Sequence, residues 1–538
     1  MDSLTNNNKN SSRFPSVTRV INKTKKLKSI SGSSFTNIVV LKTLSFDGWQ
    51  VKSTDIEITI SSGIPSISIV GLPNKAVSES KERIRSILSS MGISLPLGKI
   101  IINLSPADII KEGTHYDLGI LCGLLVYMNY ITIPNIEEYL FFGELQLNGD
   151  IIKTNGALPT AIYGHKKNLN FVGSSQIYGE ICQITNYEDK LLLFHNITNL
   201  IMYFTHSHTY SLPMMERDSY NHMNDQINLN SPNLNRHINI SNSTKRLLEI
   251  VLTGSHNMLL VGPPGVGKTT LAKAIHCLLP SLNYNSSLEV SSLYSMAGLL
   301  NNRLITEPPL RIPHSTSSIY SLLGGGQRPQ PGEVSLAHKG ILFLDELNRF
   351  PSDVLDGLRE CLTEKVIGIS RVNYTVKYPA DFLLIAAMNP CKCGFYGSTR
   401  EVCICSSRSL DHYKQKISGP FLQRIPIKYY LEETSYDSLK SEEDWFESTG
   451  KRVLQNKKKI ELFLEESKVN NLHSIVMIEK LLTEKALNFL RRYAEEKKYT
   501  LRLFHNIMYI AHTIAIMNCK NTIEEYEISE AIFFANSW

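Results

Sequence analysis

A glycine-rich segment in the middle of the chain constrains its fold more than any other feature. Residues 262–269 read Gly-Pro-Pro-Gly-Val-Gly-Lys-Thr and directly follow the apolar run 258–261. Residues 270–275 then have a composition typical of a helix. A buried strand, such a loop and a helix in this order form a cradle for phosphate oxygens, because glycines let backbone N–H groups turn inward and the helix N-terminus adds positive charge. We therefore expect a parallel α/β domain with a phosphate site.

The loop supplies the expected ligands of a nucleotide and its metal ion. Lys268 should reach the β- and γ-phosphates of ATP, and Thr269 should coordinate Mg²⁺. A chance glycine-rich turn is the alternative, but every fixed position of the pattern and both flanks are present. The expected nucleotide-binding residues are Gly262, Pro263, Pro264, Gly265, Val266, Gly267, Lys268, Thr269, Thr270 and Asp345.

Two further apolar strands are predicted to end in polar residues. Residues 340–344 lead into Asp345 and Glu346, and residues 382–388 lead into Asn389. Parallel strands deliver such residues to one edge of a sheet. Asp345 is expected to hold Mg²⁺ through water, and Glu346 to polarise the attacking water. Asn389 would orient this water or the γ-phosphate, and a turn-capping asparagine is the alternative.

The composition is that of a globular chain with a basic start. Of 538 residues, 42% are hydrophobic and 20% are charged. This suits a folded chain of about three or four domains at roughly 150 residues each. Residues 1–34 hold seven Lys and Arg against one Asp, which matches the formal net charge of +6 for the whole chain. The remainder is balanced, so any DNA contact must come from local patches.

The sequence also indicates where in the cell the protein acts. The longest uncharged apolar run, Leu118 to Met128, has 11 residues, which is too short to span a bilayer. Nine cysteines in so long a chain indicate intracellular thiols rather than a disulfide framework. We expect a cytoplasmic protein of the bacterial type with no membrane contact. The basic start is predicted to be a disordered tail, and an organelle transit peptide is the alternative.

Taken together, these motifs resemble those of AAA+ ATPases. Pro-Gly-Glu-Val-Ser-Leu-Ala-His at 331–338 and Ser-Gly-Pro-Phe-Leu-Gln-Arg at 418–424 narrow the resemblance to the magnesium-chelatase-like group. Segments of the front half narrow the resemblance further, to the ComM (YifB) family, and this resemblance covers about residues 36–535. The segments that carry this second resemblance are Val-Gly-Leu-Pro at 70–73, Asn-Leu-Ser-Pro-Ala-Asp at 103–108, Lys-Glu-Gly at 111–113 and Gly-Glu-Leu-Gln-Leu-Asn-Gly at 143–149.

The resemblance implies an α/β fold in three parts. These are an N-terminal Lon-protease/S5-like α+β domain, a P-loop AAA+ parallel α/β ATPase domain and a C-terminal α-helical lid domain. The expected boundaries are a disordered basic tail at 1–34, the Lon-like domain at 35–204, a linker at 205–242, the ATPase domain at 243–432 and the lid at 433–538. Apolar spacing predicts lid helices near 475–497, 502–518 and 524–535, after a charged segment from 432 to 468.

The Lon-like domain is expected to be non-proteolytic. Lon-type proteases use a serine shortly after a Lys-Asp-Gly-like turn and a lysine farther along the chain. Here the turn at 111–113 is followed by Thr114, His115, Tyr116 and Asp117, and residues 156–160 contain no lysine. A Ser–Lys dyad needs both members, so we interpret the domain as a scaffold.

The resemblance also implies an activity and partners. Such proteins are understood as ATP-driven hexameric motors on DNA, and members have been linked to branch migration during natural transformation. The chain is thus expected to be a Mg²⁺-dependent ATPase that forms a homo-oligomer, a hexamer, and acts on DNA as a translocase or helicase. Two alternatives stay open: the ATPase subunit of a metal-insertion complex, as in magnesium chelatases, and a nucleotide-gated interaction module with little hydrolysis.

Two arginines match roles in the family. Arg424 matches the arginine finger that reaches a neighbour's γ-phosphate, and Arg502 matches the C-terminal sensor arginine. A surface or ion-pairing arginine is the alternative for each. Several supporting positions depart from the family pattern, which predicts an active but slow or weakly coupled ATPase. The departures are Ser241-Asn242, His314-Ser315, Gln423, Pro426 and Asn506.

Four cysteines form a cluster after Asn389. Cys391, Cys393, Cys403 and Cys405 make two C-x-C pairs separated by nine residues. Four thiolates can close a tetrahedral zinc site of the structural kind. Free thiols on an ordinary loop are the alternative.

Two segments are candidates for DNA contact. Residues 366–378 alternate in polarity and predict a β-hairpin, in which Arg371 and Lys377 would grip the phosphate backbone. A solvated hairpin with charged edges is the alternative. The glycine-rich segment 323–328 is a second candidate loop at the pore of a ring.

Overall fold

The computed structural model of the protein describes residues 38–205, 240–326, 329–371, 374–432, 445–467, 472 and 474–536. The basic tail predicted at 1–34 lies outside these residues. So do most of the predicted linker (206–239) and the first residues of the predicted lid (433–444).

The first part of the chain forms a mixed sheet of seven strands in the order β3-β4-β2-β1-β5-β8-β9. The pairs β1–β2 and β2–β4 are antiparallel, and the other neighbours are parallel. The elements are β1 (Val39–Asp47), β2 (Gln50–Ser61), β3 (Ser66–Val70), α1 (Lys75–Ser90), β4 (Lys99–Ser105), α2 (Tyr116–Tyr127), β5 (Tyr139–Phe142), β6 (Glu144–Leu145), β7 (Ile151–Ile152), α3 (Ala157–Lys166), β8 (Asn170–Ser174), α4 (Tyr178–Ile181), β9 (Leu191–Phe194) and α5 (Ile197–Thr205).

Helix α2 is buried in this part. Its first ten residues are all buried, and it crosses the sheet very closely. A Cβ placed on Gly119 would lie 2.5 Å from Ile56 Cδ1, and one on Gly123 would lie 2.5 Å from Ile58 Cδ1. Ile56 and Ile58 point inward because side chains alternate along β2. The two glycines therefore permit the close helix–sheet contact.

A second, central sheet has five strands, all parallel, in the order β11-β14-β17-β10-β18. Every residue of β10, β14 and β17 is buried, which is typical of strands covered on both faces. The elements are α6 (Asn242–Gly254), β10 (Met258–Val261), α7 (Lys268–Cys277), α8 (Tyr284–Met296), β11 (Leu310–Arg311), α9 (Ile319–Leu323), β12 (Gly324–Gly325), β13 (Gln330–Pro331), α10 (Glu333–Leu336), β14 (Ile341–Leu344), α11 (Ser352–Glu364), β15 (Val366–Arg371), β16 (Tyr374–Pro379), β17 (Leu383–Met388), α12 (Ser407–Gln415), α13 (Gly419–Leu422) and β18 (Ile427–Tyr430).

The two sheets share a hydrophobic core. Leu44 and Phe171 of the first sheet cluster with Leu300 and Leu304, which follow α8. Lys153 donates hydrogen bonds to the carbonyl oxygen of Leu300 at 3.2 Å and to Asn302 at 3.4 Å. The first sheet is thus fastened to the central part through buried apolar and polar contacts.

Helices close the chain and pack on the central sheet. They are α14 (Trp445–Ser467), α15 (Ile475–Leu481), α16 (Glu484–Glu496), α17 (Leu501–Met517) and α18 (Glu525–Ala535). The charged segment 432–468, which lies mostly within the predicted lid, contains a 23-residue helix, α14. Its Trp445, Phe446 and Val453 face the core, while Lys451 and Arg452 are exposed. One expectation needs correction. The stretch 475–497 is two helices, because Thr483 caps α16 and its N–H bonds to the carbonyl oxygen of Ile523 at 3.1 Å.

The α/β fold with a parallel sheet and a C-terminal helical region is confirmed. Among the described helices, none combines the length and the apolar character needed to cross a membrane.

Candidate functional site

The glycine-rich loop curls between β10 and α7. Gly265 has φ +82° and Gly267 has φ +88°, a region that other residues rarely adopt. A Cβ on either residue would meet nothing within 4 Å, so the backbone conformation and not a lack of space calls for glycine. Helix α7 begins at Lys268, and its first-turn N–H groups have no partner within the helix. This end of α7 can receive an anion.

Lys268 is held against the loop by three oxygen atoms. Its Nζ donates to the carbonyl oxygens of Gly262 at 2.7 Å and Pro263 at 2.8 Å, and to Asn389 Oδ1 at 3.1 Å. Burial lowers the pKa of Lys268, although the charge of Asp345 acts in the opposite direction. A buried ammonium whose acceptors are neutral can exchange them for phosphate oxygens, which form stronger, charge-assisted hydrogen bonds.

Thr269 and Asp345 form a set of oxygen donors beside the loop. Thr269 Oγ1 donates to Asp345 Oδ2 at 2.9 Å, and Asp345 Oδ1 accepts from the N–H of Glu346 at 2.9 Å. A hydroxyl and a carboxylate oxygen are hard ligands of the kind that Mg²⁺ prefers. These two residues therefore fit the coordination sphere of a magnesium ion that also binds phosphate.

Glu346 occupies an unusual backbone conformation. Its φ is +52°, which costs free energy for a residue with a side chain and is common at functional sites. Its carboxylate pairs with Arg349 at 2.8 Å between Oε2 and Nη1. Arg349 was not singled out from the sequence, although its position three residues after Glu346 is a signal that could have found it.

These side chains line one cavity of about 420 Å³ at the carboxyl edge of β10, β14 and β17. The structure thus brings together the residues that the sequence assigned separately to three strands. The cavity also contains side chains that sequence reasoning missed, among them Tyr413, whose hydroxyl donates to the carbonyl oxygen of Asn389 at 3.1 Å. The lining includes Lys268, Asp345, Glu346, Asn348, Arg349, Asn389, Cys391, Lys392, His412, Tyr413 and Lys416.

Arg424 and Arg502 lie elsewhere, in a second cavity of about 380 Å³. Lys339, Lys365 and Lys457 line the same cavity. The guanidinium of Arg424 donates to neutral oxygens of its own subunit, including the carbonyl of Pro420 at 2.7 Å. Asp381 also lines this cavity and pairs with Lys339 and Lys365. Positive groups still outnumber it, so the second cavity is cationic, and it is separate from the loop of the same chain.

Several departures from the family pattern have structural explanations. Asn506 of α17 donates to the carbonyl oxygen of Gln423 at 3.0 Å, so it ties the last helices to the turn that carries Arg424. Ser241 caps α6 by accepting a hydrogen bond from the N–H of Thr244. His314 Nδ1 lies 2.7 Å from Thr316 Oγ1. Pro426 lines the cationic cavity.

The four clustered cysteines sit on the loop after Asn389. Their Sγ atoms all lie within 4.8 Å of one another. Cys391 is buried, and the other three are partly exposed. Because Cys391 also lines the cavity with Lys268, the cluster borders the candidate nucleotide site.

The predicted hairpin is present as β15 and β16, paired antiparallel in register from Val366–Pro379 to Arg371–Tyr374. Lys377 is exposed on it, and the side chain of Arg371 lies outside the described part. The turn between β1 and β2 touches the hairpin, since a Cβ on Gly48 would lie 2.9 Å from Val376 Cβ. Of the second candidate segment, 323–328, the last two residues are not described.

In the N-terminal part, the turn at 111–113 is followed by a buried histidine, His115. His115 Nε2 lies 2.9 Å from the carbonyl oxygen of Leu44, and its ring stacks on Phe142 at 4.6 Å between centroids. Burial lowers the pKa of His115 to about 4, so the ring is neutral at pH 7. Asp117 is fully buried and pairs with Arg83 at 2.7 Å, which anchors α2 to α1.

Comparison with known families agrees with these features. The family described as "Magnesium chelatase, subunit ChlI" matches residues 236–439, and the one described as "Subunit ChlI of Mg-chelatase" matches residues 56–174. The first covers the loop, the cavity that contains Lys268, the cysteine cluster and part of the second cavity, but not Arg502.

Individual relatives match over longer stretches. The uncharacterised protein YifB of Salmonella typhimurium is 35% identical over 396 residues, which is 73% of this chain and 75% of YifB. The competence protein ComM of Haemophilus influenzae is 32% identical over 489 residues, which is 90% of this chain and 95% of ComM. The magnesium-chelatase subunit ChlI of Cyanidium caldarium is 28% identical over 167 residues, only 27% of this chain and 47% of that subunit. The resemblance inferred from the motifs is thereby confirmed, and the chain belongs to the ComM and YifB family of magnesium-chelatase-like AAA+ proteins.

Proposed function

We propose that the protein is a Mg²⁺-dependent ATPase that works as a hexameric ring and moves along DNA, as a translocase or helicase of the ComM type in branch migration during recombination. The proposal rests on one observation: five polar side chains lie together at one edge of the central sheet. They are Lys268, Thr269, Asp345, Glu346 and Asn389. Family membership supports the coarser part, an AAA+-like ATPase.

In the proposed hydrolysis of ATP, the residues at this edge of the sheet have distinct roles. The loop 262–270 binds the phosphates of ATP, with Lys268 neutralising the β- and γ-phosphates. Thr269 and Asp345 would hold Mg²⁺, whose charge would offset that of the phosphate oxygens. Glu346 would leave Arg349 and accept a proton from the water that bonds to the γ-phosphorus, while the bond to the bridging oxygen breaks and ADP leaves. Asn389 would orient that water.

The separation of the two cavities supports assembly with further copies of the chain, as in a ring. A guanidinium that stabilises charge on the γ-phosphate must touch it. Arg424 and Arg502 line a different cavity from Lys268. The proposal therefore requires a second copy of the chain whose phosphate loop faces Arg424 and Arg502.

DNA as the substrate is supported by the hairpin and by the relatives. The hairpin carries the exposed Lys377, and a lysine on a hairpin edge can contact phosphate oxygens without reading sequence. A relative that matches 90% of the chain is named a competence protein.

We further propose the domain division given by the family resemblance, with a non-proteolytic Lon-like part before the ATPase part, and a cytoplasmic location. A subunit of a metal-insertion complex is the second candidate, favoured by the family description. The chelatase subunit matches a far smaller part of this chain than ComM does, so we rank it lower. A module with little hydrolysis fits poorly with the paired Thr269 and Asp345.

One experiment separates these candidates: ATP turnover by the purified full-length protein with and without single-stranded and branched DNA. We expect DNA to raise turnover, and added salt to weaken the stimulation. Lys377→Ala should lower the stimulation and keep turnover without DNA, whereas Lys485→Ala, on the exposed face of α16, should change neither. An ATP turnover rate that DNA does not change would favour the metal-insertion candidate. No ATP turnover at all would favour the interaction module.

A further inference from the structure

We propose that Cys391, Cys393, Cys403 and Cys405 bind one zinc ion, and that this ion fixes the wall of the nucleotide cavity against the phosphate loop. The first half of the proposal concerns a metal site and stands by itself. The second half rests on the proposed ATP site.

The sulfur positions fit one tetrahedral ion. Cys391 Sγ lies 3.2 Å from Cys393 Sγ and 3.7 Å from Cys403 Sγ, and the last two sulfurs are 3.5 Å apart. Cys405 Sγ lies within 4.8 Å of all three. A tetrahedron with Zn–S bonds of about 2.3 Å places its sulfurs roughly 3.8 Å apart. A disulfide requires about 2.05 Å, so each sulfur lies at the spacing of a shared ion and not of a covalent pair.

The backbone of the loop is arranged to stabilise thiolate charge. The N–H of Gly394 donates to Cys391 Sγ at 3.2 Å, and the N–H of Tyr396 donates to the same sulfur at 3.3 Å. Gly394 has φ +94° and Gly397 has φ +82°, which allows the chain to fold back over the sulfur. N–H groups aimed at sulfur lower the free energy of the charged form that a metal needs.

The chemistry of the donors favours zinc. Four soft thiolates suit zinc, copper(I) or iron. Several iron atoms bridged by sulfide would hold the cysteine sulfurs farther apart than these distances allow, and copper(I) does not need four thiolates. A single iron ion would fit the same spacing, and elemental analysis distinguishes it from zinc. Because four protein ligands leave no open position, the ion would be structural.

The loop that carries the cluster touches the phosphate loop. A Cβ on Gly394 would lie 2.9 Å from Pro264 Cδ, so these two segments are in direct contact. Cys391 is two residues from Asn389, which accepts a hydrogen bond from Lys268. On the other side, Tyr430 Oη donates to the carbonyl oxygen of Tyr396 at 3.1 Å. An ion that closes this loop therefore holds Asn389 and Pro264 in fixed positions.

Metal content is the direct test. Full-length protein purified without chelator should contain one zinc per chain by elemental analysis, and cobalt(II) in its place should give the intense visible bands of a tetrahedral thiolate site. Cys403→Ser and Cys405→Ser should lose the metal, whereas Cys519→Ser, an exposed thiol outside the cluster, should keep it. Iron in place of zinc, or a metal-free protein whose four thiols titrate freely, would overturn the proposal.

Binding of a fluorescent ATP analogue tests the second half. Zinc-depleted wild type and Cys403→Ser should bind it about tenfold more weakly, as expected for the loss of roughly one hydrogen bond to phosphate. Added zinc should restore the affinity of the wild type for the analogue but not that of the variant. Unchanged affinity in zinc-depleted protein would refute the coupling and leave the metal site standing. If zinc-loaded wild type binds no nucleotide, the proposed ATP site is wrong, while metal analysis still decides the zinc site.

Discussion

Arg424 and Arg502 line the same cavity, and the charge of Arg502 acts on the guanidinium of Arg424. Burial is the larger cause that lowers the pKa of Arg424, and the charges of Arg502 and Arg359 lower it further. Positive groups held together in this way repel one another until an anion enters between them. The phosphate groups of a neighbour's nucleotide would supply that anion.

Loss of Arg424 should therefore cost turnover far more than ATP affinity. Arg424→Ala is expected to lower turnover by about 10³-fold if it behaves like other arginine fingers, because the guanidinium stabilises charge that develops only in the transition state. Turnover assays and nucleotide titrations measure the two effects. Arg492→Ala, an exposed arginine of α16, is the control that should behave like wild type.

Mixtures of variants test whether Arg424 acts across subunits. Arg424→Ala chains keep an intact phosphate loop, and Lys268→Ala chains keep an intact Arg424. Mixing them should restore part of the turnover, since at some subunit interfaces an intact phosphate loop then faces an intact Arg424. Mixed rings must be verified with differently tagged chains. Full turnover by Arg424→Ala alone would show that it is a structural arginine, and the finger would then be sought at Arg400 or Arg408.

Glu346→Gln should retain ATP and hydrolyse it slowly. The amide keeps the shape of the side chain but loses the basic oxygen that accepts the proton of water, so we expect turnover to fall by about 10²-fold or more. Glu360→Gln, exposed on α11, should leave turnover unchanged. A wild-type rate for Glu346→Gln would mean that another group polarises the water.

Acid should destabilise the N-terminal sheet through His115. Its folded pKa is about 4, while an unfolded histidine has a pKa of about 6.5. Below that value the unfolded chain binds a proton that folded His115 does not, so stability is lost as the pH falls from about 7.5 toward 4. At pH 5.5 this amounts to about 1.4 kcal/mol relative to pH 7.5 or above.

Urea unfolding at pH 7.5 and 5.5 measures this loss. His115→Gln can still donate to the carbonyl oxygen of Leu44 but does not titrate, so its loss of stability between the two pH values should be smaller than that of wild type. His195→Gln, at an exposed position, should keep the wild-type loss. An equal loss in wild type and His115→Gln would contradict the buried neutral state.

The protein should not cleave unfolded casein, with or without ATP. A Ser–Lys dyad needs a hydroxyl beside a basic amine. His115 is instead bonded to a backbone oxygen, and Lys111 Nζ donates to the carbonyl oxygens of Pro106 and Ile109. Gel analysis over several hours measures survival. Cleavage that stays with the protein through successive purification steps would refute the scaffold interpretation.

Sequence reasoning found the residues of the candidate nucleotide cavity because they follow three buried strands, and the carboxyl ends of parallel strands meet at one edge of a sheet. It placed residues 433–538 in a helical lid but gave no bounds for α14. It also missed the shared cavity of Arg424 and Arg502 and the bond from Asn506 to Gln423. These contacts join residues about 80 positions apart, and such pairings depend on tertiary packing that no local spacing encodes.

The contact between Gly48 and Val376 has a mechanical consequence. The space between the β1–β2 turn and β16 cannot hold even one added carbon atom, and close-packed atoms transmit displacement instead of absorbing it. A push of the hairpin toward this turn would therefore press on β1 and β2, whose antiparallel register extends from Val39–Ile58 to Asp47–Gln50. The N-terminal sheet would thus limit how far the hairpin can move toward it.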